Sequence, residues 1–426
     1  MDCWVSVQWQ AQWGGILSRP CVPTPLMNTP LSVSRARLAL ILAGLAMFGP
    51  FSIDTVFPAF PVMASDLGAS KLAMQQTIST YLIGYAAMSL FHGPISDAIG
   101  RKKVLVAGTV LFALASAGAA LAQDMPTMLA FRVLQGLCAG VGLIVGRAVI
   151  RDCLQGDDAQ RLMSQVSMIF GVAPAIAPII GGWILGMANW HAIFWFLALF
   201  GALLAAVTAW GLPETHPPSQ RLPLRLGPIL SGYGQMLGSG RFHLLALTGI
   251  ANFGALFLYI SSAPAFVMDL MGLSEQDFGW FFVPTIGGMM LGAWISGKAA
   301  GRIPGTRLVE WGFAFTGVAT AYNITYNLLT DSPSLPWAVL PMSVCAFGIA
   351  LVFPIVTLAL LDMYPRQRGS VSSMQAFLGL VSNALIAGVL SPLVSHDGLT
   401  MALSAGGFSA TAWGLWRLYR ARIARA

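Results

Sequence analysis

From Leu38 onward the chain is a succession of apolar segments separated by short polar breaks. Each is close to the roughly 20 residues an α-helix needs to cross a bilayer. Twelve are found, at 38–61, 73–92, 104–122, 126–149, 163–186, 191–212, 243–266, 278–297, 307–329, 335–361, 369–392 and 398–416. A soluble globular protein carries about 25% charged residues. Here 9% are charged and 56% hydrophobic. A chain this long and this poor in charge cannot make a water-soluble surface, so the pattern predicts an all-α polytopic membrane protein. The net charge of +7 is then read as cations held on one face of a membrane, not as a nucleic-acid footprint.

The longest hydrophilic break, 213–242, is rich in Pro and Arg and divides the spans six and six. This predicts two structural repeats joined by a linker: a six-helix half over 38–212, the linker over 213–242, a second half over 243–416 and a basic tail over 417–426. Residues 1–37 interleave Trp4, Trp9 and Trp13 with Gln and Gly, and four prolines follow. That composition predicts a disordered cytoplasmic tail without a signal-peptide core, and Met27 opens a more ordinary sequence. The five cysteines, Cys3, Cys21, Cys138, Cys153 and Cys345, have no metal or redox spacing and are expected to be unpaired.

Charge supplies the orientation. With the N-terminus inside, 21 of the 23 Lys and Arg residues fall on the inner face, as the positive-inside rule requires. The exceptions are Lys71 in the first outer loop and Arg132 within the fourth span. One span more or fewer would scramble this sorting. Both termini are therefore expected in the cytoplasm.

A charge within the bilayer costs at least a few kcal/mol on insertion scales (about +2.5 to +3.5) and is a functional signal. Asp54 and Arg132 are the two clear cases, each roughly 10 Å from the outer face at 1.5 Å per residue. If their spans face one cavity they can pair or compete through it. Pro58 lacks the N–H that would bond the Asp54 carbonyl, so a local kink is expected there. Asp54 reads as a site for a proton or a substrate cation; the bland alternatives are a structural ion pair or an Asp near enough to the outer headgroups to stay wet. In span 4, Gly136 and Gly140 share a face with Arg132 and permit close helix approach. In span 5, Pro174 and Pro178 remove two helix bonds beside Gly181 and Gly182. Between spans 2 and 3, Asp97 stands between Gly93 and Gly100, ahead of Arg101, Lys102 and Lys103; Arg147 and Arg151 are candidate partners for it. The five histidines are scattered, and neither a P-loop nor a nucleophile-and-base set is visible.

Together these stretches resemble the major facilitator superfamily. Gly93–Lys103 is similar to its loop 2–3 signature, Arg132 with Gln135-Gly136 to its span-4 motif, and Pro178 with Gly181-Gly182 to its span-5 antiporter motif. Asp54 to Pro61, Asp-Thr-Val-Phe-Pro-Ala-Phe-Pro, resembles the end of span 1 in drug:proton antiporters of the bicyclomycin and chloramphenicol resistance (Bcr/CflA) family. Ala98 stands where the loop signature usually has Arg, and Ala177 where the span-5 motif usually has Gly. The second half keeps only a remnant of the loop, Gly297 to Arg302.

The resemblance implies the major facilitator fold. It also implies proton-coupled efflux of small amphipathic drugs or toxic metabolites across an inner membrane, by a monomer that needs no cofactor or metal beyond the proton gradient. Asp54 would exchange protons for substrate, modulated by Arg132. Asp97 and Arg101 would latch the halves, and with Ala98 in the loop Asp97 would lean on Arg147 or Arg151. Tyr81, Tyr85, Gln135, Asn252, Tyr259, Gln375 and Asn383 are the expected cavity lining. Two other readings stand beside it: a facilitator of a metabolite in either direction, and, more remotely, a membrane-embedded enzyme or sensor.

Overall fold

The computed structural model describes residues 34–154, 156–221, 223–224, 226–299, 302–330, 333–364 and 367–424. Expectations for residues 1–33, with Cys3, Cys21 and Met27, and for Arg225, Gly301, Asp331, Arg366 and Arg425 lie outside them.

Each of the twelve apolar segments is helical. The first six are α1 (Arg35–Asp54), α2 (Lys71–Ser89), α3 (Arg101–Ala120), α4 (Met125–Ala139 continued by Val141–Cys153), α5 (Gly156–Met187) and α6 (Trp190–Gly211). The second six are α7 (Gly240–Ser261), α8 (Gly279–Ala299), α9 (Gly305–Leu329), α10 (Leu340–Asp362), α11 (Arg368–Leu385, continued through a π-turn to Val394) and α12 (Gly398–Ala424). Helix starts are fixed by small polar caps that satisfy otherwise orphaned N–H groups. Ser70, Asp124, Asn189 and Ser239 accept from Ala73, Thr127, Ala192 and Phe242 in this way.

Among the described residues eight stretches, including Arg35–Asp66, Met125–Cys153 and Leu340–Asp362, are long and apolar enough by themselves to cross a membrane. The remaining spans are long but diluted. α2 carries Gln75, Gln76, Thr77 and Ser79, and α9 carries Asn323 and Asn327, several of them buried. Their polarity is spent inside the bundle. Large apolar side chains stand out on the periphery instead, including Trp183, Leu199, Trp210, Trp294, Val318 and Trp413. That inversion fits a bundle whose solvent is lipid.

The halves meet mainly at the end of the bundle away from the basic loops. There Lys71 Nζ pairs with Asp269 Oδ2 at 2.6 Å. Gln76 Nε2 donates to the Gly388 carbonyl at 2.8 Å and Ser79 Oγ to that of Ala384 at 3.0 Å. Phe57 stacks on Phe282 with ring centroids 6.2 Å apart. At the basic end, a linker helix, Leu226–Leu237, packs Tyr233 and Met236 into a second-half cluster with Phe242, Val356 and Trp416. Burial holds the Tyr233 phenol above its usual range. It therefore stays a neutral donor, and its hydroxyl meets the Leu90 carbonyl at 3.2 Å, just past the end of α2.

Candidate functional site

Helix α1 stops at Asp54. Beyond it the backbone tightens into i→i+3 bonds, Val56 N–H to Ile53 at 3.3 Å and Ala59 N–H to Val56 at 3.0 Å. Pro58 lies in this 3₁₀ turn, so the missing N–H opposite Asp54 has ended the helix. The Asp54 side chain sits in the break, 4% exposed. Among the described residues it makes no ion pair and no hydrogen bond.

Arg132 does not pair with it. The guanidinium, 1% exposed, donates from Nε to the Thr77 carbonyl at 3.0 Å. Nη1 reaches the Ser52 carbonyl and Gln135 Oε1, both at 2.8 Å. It also lies over the Tyr81 ring, 4.7 Å from the centroid. Gln135 is fixed in turn by Ser116 Oγ at 2.8 Å, and the Tyr81 hydroxyl donates to the Gly49 carbonyl at 3.2 Å. The expected Asp54–Arg132 contact is replaced because backbone carbonyls on α1 and α2 occupy the guanidinium. Arg132 thus ties α1, two residues before Asp54, to α2 and α4.

The glycines act as the sequence suggested, and one does more. A Cβ on Gly136 would collide with the Tyr81 carbonyl, so α2 and α4 meet backbone to backbone. Gly181 lies on the Thr55 carbonyl, directly at the α1 break, while its neighbour Gly182 lies on the Glu275 carbonyl of the second half. With Pro174 and Pro178 inside the same helix, α5 touches the Asp54 turn and the opposite half from adjacent positions.

The loop between α2 and α3 is a short helix, His92–Ile99, closed by Gly100 at φ 106°. Asp97 pairs with Arg101, not with Arg147 or Arg151, because the Gly100 turn folds the start of α3 back over the loop helix. Arg101 Nη1 also meets Ser96 Oγ at 2.6 Å, and its Nε meets Asp152 Oδ2 at 3.0 Å. Glu214, from the start of the linker, accepts from the Arg101 backbone N–H at 2.9 Å and caps α3. Glu214 and Asp152 were missed by the sequence reading. The signal available was two acids beside the basic face, at the ends of spans 6 and 4.

The expected cavity residues divide. Tyr81, Gln135, Asn252 and Tyr259 are buried; the first two support Arg132. Tyr259 turns to α9, where Asn323 Nδ2 meets its hydroxyl at 2.7 Å. Tyr85, Gln375 and Asn383 remain partly accessible, and Gln375 Nε2 donates to Thr357 Oγ1 at 3.0 Å. Among the described residues Asn252 Nδ2 has no partner.

The model of the Major Facilitator Superfamily matches residues 40–387. The chain belongs to this superfamily. It is 34% identical over 377 residues to the uncharacterized MFS-type transporter YdgK of Bacillus subtilis, covering 88% of this chain and 92% of that protein. It is 26% identical to the bicyclomycin resistance protein homolog of Haemophilus influenzae over 86% of this chain and 92% of that one. It is 27% identical to the chloramphenicol resistance protein of Pseudomonas aeruginosa over 81% of each. Among solved structures, a bacterial homolog of the human lysosomal transporter Spinster superposes with TM-score 0.68 at 17% identity, covering 90% of this chain and 95% of that one. The superfamily member described here is thus a multi-pass transporter with the twelve-helix fold of its family.

Proposed function

We propose that this transporter exports small amphipathic drugs or toxic metabolites in exchange for protons, by alternating access across a bacterial cytoplasmic membrane with its basic end inside. Relatives named for bicyclomycin and chloramphenicol resistance support the substrate class. The observation that carries the coupling is the state of Asp54: a buried carboxyl at a helix break, with the nearby Arg132 engaged by carbonyls. A carboxyl whose neighbouring cation is already satisfied is free to gain and lose a proton as its surroundings open to either side. Its place against α5, whose next residue rests on the other half, offers a route from protonation to movement of the halves. Asp97 and Arg101, held with Asp152 and Glu214, would keep the basic end of the first half rigid while it moves.

The test uses inside-out vesicles with an acidic lumen, so that protons run outward, and chloramphenicol as the probe. Wild type is expected to accumulate the drug when the gradient is imposed and to release it when an uncoupler is added. Asp54→Asn should abolish gradient-driven uptake while the protein stays folded in the membrane. Uncoupler-sensitive uptake by Asp54→Asn at the wild-type rate would remove Asp54 from the coupling role.

A further inference from the structure

The first half also holds a cation near the inner end of span 4 that the coupling site does not use. Arg147 lies on α4, six residues before the helix ends at Cys153, so about 9 Å inside that end at 1.5 Å per residue. Unlike Arg132 it is exposed. Among the described residues it makes neither an ion pair nor a hydrogen bond, and its charge interacts with Tyr85 and Arg151.

Position decides which way it faces. Gly140 and Arg147 are seven residues apart on one helix and share a face. That face looks toward α2: a Cβ on Gly140 would lie 2.6 Å from Tyr85 Cε2 and 3.0 Å from His92 Nδ1. The face toward α1 is a different one, marked by Gly142 on the Leu45 carbonyl and Gly146 beside Leu42. Arg147 therefore points between α1 and α2, into the bundle, and not toward lipid. Tyr85 is half-buried, its hydroxyl makes no hydrogen bond among the described residues, and its ring stands edge-on to Tyr81 at 6.5 Å. Beside them, His92 Nδ1 is buried without a partner among the described residues.

The nearby acids are engaged or distant. Asp152 and Asp97 are held by Arg101, and Asp54 lies buried at the opposite end of α1 from the basic loops. Among the described residues of the second half, Arg241, Lys298, Arg307, Glu310, Asp362 and Arg417 lie near the basic ends of their helices. The exposed positive charge of Arg147 stands next to an aromatic ring and a hydroxyl donor unused among the described residues. An Arg fork matches a carboxylate in geometry and charge.

We infer that Arg147 and Tyr85 form a subsite for an anionic group, so that the substrates of this transporter include aromatic carboxylates or zwitterions whose carboxylate docks on Arg147 and whose apolar body lies along Tyr85. The inference rests on the export reading for its direction of travel, but the site itself is a binding site.

It can be tested without any gradient. The purified full-length protein in phosphatidylcholine nanodiscs is titrated with 4-biphenylcarboxylate and with the matched neutral 4-biphenylcarboxamide. Wild type should bind the carboxylate about tenfold tighter than the amide, about 1.4 kcal/mol. Arg147→Gln should bring the two within about twofold by weakening the carboxylate alone, and Arg147→Lys, which keeps the charge but not the fork, should keep only part of the preference. Tyr85→Phe provides a second variant with the ring intact; it should weaken the carboxylate roughly threefold. Adding phosphatidylglycerol to the discs should leave the preference unchanged. If that lipid abolishes it, the site belongs to a headgroup and the substrate assignment falls. The assignment also falls if wild type does not discriminate, if neither probe binds below about 1 mM, or if the preference survives in Arg147→Gln. Asp54→Asn should keep the preference, so failure of the coupling reading and failure of this one give different results.

Discussion

The two halves solve the same packing problem with different chemistry. In the first, α2 and α4 touch at Gly136 on the Tyr81 carbonyl and at Gly84 on the Val133 carbonyl. In the second, α8 and α10 touch at Gly288 on the Ser343 carbonyl and at Gly292 on the Phe347 carbonyl. Close backbone approach through glycine is shared, as expected of repeats whose helices associate by van der Waals packing. The polar content is not shared. The first half buries Asp54 and Arg132 within its spans, whereas among the described residues the second offers neutral groups at such depth, such as Asn252, Tyr259 and Asn323. The difference teaches that packing belongs to the repeat and charge to one half, so coupling should be lost by damage to the first half and only weakened by equivalent damage to the second.

The largest expected contrast is between the two buried hydrogen-bond hubs. Arg132→Met removes one guanidinium and strands the Ser52 and Thr77 carbonyls and Gln135 in a low-dielectric interior. Each buried group left unsatisfied costs about 1–3 kcal/mol. Asn323→Leu removes the hydrogen bond to Tyr259 and the one from Asn327, a loss of roughly 1 kcal/mol per bond. Thermal unfolding in detergent should show a much larger fall in Tm for Arg132→Met, with transport abolished, while Asn323→Leu retains activity. Equal losses would break the contrast.

Next in size is a test of what the halves share. Gly136→Val and Gly288→Val each force a branched side chain into a backbone carbonyl of the neighbouring helix. Overpacking of this kind costs typically about 1–3 kcal/mol, and both should lower Tm by similar amounts. Gly297→Ala, where a Cβ meets nothing within 4 Å, is the control and should change little. If only the Gly136 variant is destabilised, packing too is specific to one half.

Much of this was legible in the sequence because a bilayer imposes its own length scale and forbids unpaired backbone. Every apolar segment became a helix, and Pro58 ended α1 at the residue whose carbonyl it cannot serve. The pairing of the charges was not legible. Asp54 and Arg132 have matching depths, but a guanidinium can be satisfied equally by carbonyls, and only the rotation of α2 and α4 about the Gly136 contact decides which it meets. The Asp97 partner was missed for a related reason: the Gly100 turn makes Arg101 a neighbour across a loop. Tyr259 was expected in the cavity from the family resemblance, whereas its rotation on α7 sends its hydroxyl to Asn323. Depth is a property of the chain and rotation is a property of the packing.

The smallest expected effect lies where the halves meet. Lys71 and Asp269 join α2 to the turn after α7 at 2.6 Å, but their side chains are 83% and 49% exposed. An exposed pair is worth about 0–1 kcal/mol and is screened by salt. Lys71 is also the cation that breaks the positive-inside sorting, and its partner explains why it is tolerated there. The pair cannot hold the cation-poor end shut by itself; the Gln76, Ser79, Phe57 and Gly182 contacts beside it carry no charge. Lys71→Glu should therefore slow transport at most about twofold at low salt. The double variant Lys71→Glu with Asp269→Lys should restore the rate, and about 0.5 M salt should erase the difference. A large, salt-insensitive loss in Lys71→Glu would mean that charge, and not apolar packing, governs the seam between the halves, and the division drawn here between shared packing and one-sided charge would have to be redrawn to include it.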